Sequence, residues 1–143
     1  MKKTAITVII VVLSVLTTLW SGCDNDNGPD TEWFIIHIDS IVHVDTITFG
    51  EILSIKFYGV IGPDGCYAFD RLSPEYIQID ATTGELTTTA FGIRTFEDVC
   101  PQDSVYMNGS ELLVSDIPLG NLEIKAMQPD GTSTITQYVF IKE

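Results

Sequence analysis

At 143 residues the chain suits one domain and is short for two. Twenty Asp and Glu against seven Lys and Arg give a formal net charge of −13. That balance argues against nucleic acid and against anionic lipid heads, since both select Lys and Arg. The mean hydropathy of +0.23 is unevenly spread, with its longest apolar run at the N-terminus.

Lys2 and Lys3 precede an uncharged run, Ala5 to Trp20, of about 16 residues. A basic start, a short apolar stretch and small residues are the plan of an export signal. The run is also shorter than the roughly 20 residues that span a bilayer as a helix. It ends in Leu19-Trp20-Ser21-Gly22-Cys23, which resembles a bacterial lipobox, with Trp20 standing where that pattern usually has leucine. The resemblance implies a signal peptide over residues 1–22, lipidation of Cys23 and anchoring to the outer membrane, with cell-surface exposure as one outcome. Two or more acyl chains hold a protein stably at a membrane where one does so only marginally. Asp24, Asp26, Asp30 and Glu32, interspersed with Asn, Gly28 and Pro29, cannot build a core, so residues 23–32 read as a solvated tether. This acidic stretch is similar to that behind the lipidated cysteine of surface-exported lipoproteins of the Bacteroidota. Read as a calcium loop from Asp24, it places Gly28 fifth and Pro29 sixth, which breaks the EF-hand order.

From Trp33 to Glu143 the chain reads as strands and turns. "FIIHIDSIVHVDTITF" puts Phe34, Ile36, Ile38, Val42 and Val44 on one parity and predicts a half-buried strand broken near Ser40. "EILSIKFYGV" predicts a second strand, closed by Gly62-Pro63-Asp64-Gly65. Thr82-Thr83-Gly84 predicts a hairpin between "EYIQIDA" and "ELTTTAFGIR". Asn108-Gly109 predicts another, because Asn-Gly accepts the positive φ of a tight turn. Pro129-Asp130-Gly131 predicts a third, Pro presetting φ and Gly accepting positive φ. Turns at roughly ten-residue spacing and no amphipathic helix point to an all-β, antiparallel β-sandwich of about seven to nine strands, with a small β-barrel as the alternative. Pro118, Gly120, Leu122, Ile124 and Gly131 resemble the last strands of immunoglobulin-like modules on bacterial surface proteins. The resemblance implies an immunoglobulin-like fold and nothing about activity.

With Cys23 lipidated, Cys66 and Cys100 remain, and export favours their pairing as a structural disulfide closing a loop of about 35 residues. His37, Asp39, His43 and Asp45 share strand parity and are the candidate metal ligands. At about 3.3 Å per residue, however, His37 and His43 would stand roughly 20 Å apart on a straight strand, too far for one ion. A polar, solvent-facing strand surface is the simpler reading.

No nucleophile elbow, phosphate loop or zinc-protease motif occurs, so neither enzymatic activity nor a cofactor is expected. Asp39-Ser40-Ile41, Asp45-Thr46-Ile47 and Asp103-Ser104-Val105 are similar to the O-glycosylation acceptor of the Bacteroidota. Two function classes follow. The first is a binding module for another envelope protein. The second is a carbohydrate-binding accessory of a surface glycan-uptake system, with "CYAFDRLSPEY" as a loop platform where Tyr67, Arg71 and Tyr76 converge and Trp33 as the remaining tryptophan.

Overall fold

The computed structural model describes residues 30–143, so the expected signal segment, Cys23 and most of the expected tether lie outside the described residues. Nine strands follow: β1 Thr31–Ile35, β2 His37–Val42, β3 Thr46–Thr48, β4 Leu53–Gly62, β5 Tyr67–Gln78, β6 Thr83–Thr95, β7 Val105–Val114, β8 Gly120–Met127 and β9 Ser133–Lys142. No helix occurs among the described residues, and the all-β expectation holds.

The strands form a six-stranded and a three-stranded sheet over one core. In the larger sheet β6 is the axis. Its partner along one edge is β5, while β1 and β8 share the other edge end to end, and β9 and β3 extend the sheet beyond β8. The smaller sheet runs β2-β4-β7. Leu53, Ile55 and Phe57 of β4 are completely buried and face Leu122 and Ile124 of β8 and Leu86 of β6 across the sandwich. Each such side chain contributes about 1.5–3 kcal/mol on leaving water.

Three sequence expectations are corrected here. The long N-terminal strand is a corner of three strands. β1 pairs with β6, the chain crosses sheets at buried Ile36, whose N–H donates to the Ala90 carbonyl, β2 then pairs with β4, and β3 returns beside β9. Alternation runs unbroken through such a corner, so period alone does not mark it. Asn108-Gly109 is not a hairpin. β7 is continuous, and Gly109 (φ +82°) is the extra residue of a bulge between Asn108 and Ser110. A single left-handed residue suits a glycine bulge as well as it suits a turn. Finally, β3–β9 and β6–β8 pair in parallel, although the remaining ladders are antiparallel as expected.

The other two hairpins form as expected, although Thr83 and Gly84 belong to β6 and the first turn spans residues 79–82. β5 and β6 form a hairpin in which the Asp80 carboxylate accepts from the Thr82 N–H at 2.8 Å. Pro129-Asp130-Gly131 joins β8 to β9, with Gly131 at φ +80°. Cys66 and Cys100 are disulfide-bonded, fastening the start of β5 to the β6–β7 connection.

Candidate functional site

The segment expected to be a loop platform is strand β5, and its alternation separates the expected residues. Tyr67 stands opposite Arg94 and its ring packs edge-on against Phe34, centroids 5.5 Å apart, beside the core. Tyr76, nine residues along the strand, stands opposite Leu86 and lies against Gly84. A strand rising about 3.3 Å per residue puts the two tyrosines roughly 30 Å apart. Arg71 belongs to the outer face, because a bulge at Asp70 sets it opposite Phe91. Tyr67, Arg71 and Tyr76 therefore do not converge.

Arg71 instead meets Trp33. Its guanidinium lies 4.9 Å from the Trp33 ring centroid and 4.8 Å from that of Phe91, and it is ion-paired with Asp70. Trp33 is 53% exposed, and Ile93, its partner across the β1–β6 ladder, continues the apolar surface. Around the corner of the sheet Arg94 repeats the arrangement, 5.3 Å from Tyr67 and 4.7 Å from Phe96. Cation–π contacts of this kind hold two of the few basic residues in fixed positions. Phe91, Arg94 and Phe96 were not singled out from the sequence. Their signal was "AFGIRTF", in which Arg94 and Phe96, two residues apart, share a face while Phe91 falls on the other.

Further along the same outer face, Lys125 donates to Glu85 at 2.7 Å and lies 3.3 Å from Glu123. Chiefly the Lys125 hydrogen bond, then that of the Thr87 hydroxyl, holds the Glu85 carboxyl below its usual 4.5. Chiefly the Glu85 hydrogen bond, with Glu123 adding to it, holds the Lys125 ammonium above its usual 10.5. A depressed carboxyl stabilises the fold above 4.5 and loses that contribution as pH falls through its folded pKa. The raised ammonium stabilises below 10.5 and loses its contribution as pH rises through its own. Lys125→Met is accordingly expected to lower the melting temperature at neutral pH. The gap from the wild type should close on the acid side of 4.5, as thermal unfolding followed across pH will show.

The four candidate metal ligands do not share a face. Asp39 is the extra residue of a bulge in β2, and the parity inverts beyond it, so Ile41 is buried while Val42 and Val44 are exposed. His37 Nε2 lies 3.6 Å from Asp39, and His43 Nδ1 donates to the Val44 carbonyl at 2.8 Å. Among the described residues the one cluster of three possible ligand atoms is Asp64 with Cys66 and Cys100, whose sulfurs are bonded to each other and carry no thiolate. Ser40, Thr46 and Ser104 of the three acceptor-like tripeptides are all exposed.

The outer face of the smaller sheet carries two cross-strand rows. His37, Val60 and Tyr106 form one, and Ser40, Tyr58 and Asn108 the next. Between them lies an open depression of about 410 Å³, lined by Asp39, Tyr58, Val60, Tyr106 and Asn108. Neither tyrosine was among the site residues expected from the sequence. Their shared face was legible from alternation, but the bulges that shape the depression were not. Comparison with protein-family models, with curated proteins and with solved structures found no match to this chain.

Proposed function

We propose that the chain is an exported, non-enzymatic binding module of a bacterial cell envelope. In this reading an immunoglobulin-like sandwich is held at the outer membrane by lipidated Cys23 and contacts another envelope protein. The observation that carries it is the half-exposed Trp33 stacked with Arg71 and Phe91 on the outer face of the larger sheet. Tryptophan, tyrosine and arginine are the residues that dominate the energetics of protein interfaces, and a pre-stacked arginine loses little freedom on docking.

A photo-cross-linking residue at position 33 of the full chain, expressed in its native envelope, tests this. One discrete adduct is expected, lost in the Arg71→Glu background and absent when the cross-linker stands at Leu113 on the opposite sheet. The same adducts from both positions, or none from either, would overturn it. A second reading, a carbohydrate-binding accessory of a glycan-uptake system, is favoured by the tyrosine, amide and carboxylate groups gathered around Tyr58.

A further inference from the structure

We infer that the depression on the three-stranded sheet is a binding subsite for one neutral pyranose ring, with Tyr58 and Tyr106 as its apolar platform and Asp39 and Asn108 as its hydroxyl-reading groups. The inference rests on the carbohydrate reading and gives that reading a place other than the β5 segment.

Its first support is how the site is built. β2 and β7 flank β4, and each carries a bulge beside the same residue, Tyr58. Asp39 is inserted between Ile38 and Ser40 on one side, and Gly109 between Asn108 and Ser110 on the other. Bulges re-aim side chains and recur beside binding sites. Here the first places a carboxylate, and the second clears space for a ring. A Cβ at position 109 would stand 3.1 Å from Tyr58 Oη, so the glycine lets the half-buried tyrosine lie against β7. Tyr106, 63% exposed, is its diagonal neighbour, which puts the two residues about 7–8 Å apart.

The chemistry follows from the groups present. A pyranose has an apolar face of C–H groups that covers an aromatic ring, and a rim of hydroxyls that both donate and accept. A carboxylate accepts from such a rim, while an amide does both. The Tyr58 and Tyr106 hydroxyls and the Asn108 amide all line the depression, where a ligand can reach them. The volume lies within the roughly 300–1,000 Å³ typical of small-molecule sites. Charge narrows the class. Asp39 lies at the depression and the chain carries −13, both of which disfavour phosphorylated or acidic sugars.

The test is saturation-transfer NMR on the full chain in a polyoxyethylene detergent, which carries neither sugar nor choline. The probes are glucose, galactose, mannose, xylose and N-acetylglucosamine, their disaccharides, glucose 6-phosphate and choline. At least one neutral sugar is expected to bind through its ring C–H protons. Tyr106→Ala, on an exposed position that leaves the core intact, should weaken it at least about tenfold. Tyr106→Phe should retain most of the affinity, and Trp33→Ala should change nothing. Binding of a neutral sugar that survives Tyr106→Ala would overturn this subsite while leaving the carbohydrate reading standing. Failure of every neutral sugar, or binding of choline or glucose 6-phosphate alone, would overturn both.

Discussion

Replacing Cys66 and Cys100 together by alanine is expected to lower the unfolding free energy by about 3–4 kcal/mol, the chain-entropy value for a loop of this length. In a small domain whose total stability is of order 5–15 kcal/mol, that is a large share, and the melting temperature should fall by roughly 10–20 °C. The bridge also secures a junction with few other fastenings. The Gly65 N–H donates to the Pro101 carbonyl at 2.8 Å, and the Asp64 carboxylate accepts from the Cys66 N–H at 3.0 Å. Beyond these, the connection through Val99, Gln102 and Asp103 is exposed. Differential scanning calorimetry of the wild type, the double variant and the reduced wild type checks the claim, and the last two should melt together. A loss under about 1 kcal/mol would mean that this loop is confined in the unfolded chain without the bond.

The parts of the fold legible in the sequence are those fixed locally. Proline and glycine at positions 129 and 131, and the threonine-rich turn before Gly84, specify hairpins because few backbone conformations suit them. The cysteine pairing was legible because, with Cys23 set aside as the expected lipid anchor, Cys66 and Cys100 have only each other as internal partner. The rest turned on where alternation is reset. Period two assigns faces only within an unbroken strand, and one inserted residue inverts everything after it. The bulge at Asp39 buries Ile41 and exposes Val42 and Val44, which broke up the presumed His37–Asp45 ligand face. The bulge at Asp70 sends Arg71 outward to Trp33, away from Tyr67 and Tyr76. "CYAFDRLSPEY" read as a loop platform, yet from Tyr67 it is strand β5, an edge strand that tolerates Pro74 because a missing N–H costs little there. The parallel pairings are decided by which sheet a distant strand joins, and no local residue reports that.

Gln128→Leu is expected to destabilise the fold by about 2–4 kcal/mol, because it strands two backbone groups in the core. The Gln128 side chain is 2% exposed, accepts from the Ile38 N–H at 3.1 Å and donates to the Ile38 carbonyl at 3.1 Å. Ile38 stands opposite Gly59 on β4, but both its polar groups turn to the other edge of β2, where the three-stranded sheet ends. A glutamine amide has the donor and acceptor of a peptide unit, so Gln128 supplies one step of a missing ladder from the end of β8. It thereby closes the sandwich edge between the two sheets. The turn that follows holds it there: the Gln128 N–H donates to the Thr132 carbonyl and the Gly131 N–H to the Gln128 carbonyl. Leucine matches the volume but leaves the Ile38 N–H and C=O unpaired, each at about 1–3 kcal/mol. Glutamate would keep an acceptor and lose the donor, burying a charge as well, so Gln128→Glu should cost more at neutral pH and recover in acid as the carboxyl protonates. Urea unfolding of both variants, with amide exchange at Ile38, is the measurement. The expected pattern is a lower midpoint and loss of Ile38 protection, deeper for glutamate at pH 7 than for leucine. An unchanged midpoint for Gln128→Leu would show that β2 holds its edge through Ile36, Ile38 and Ile41 packing alone.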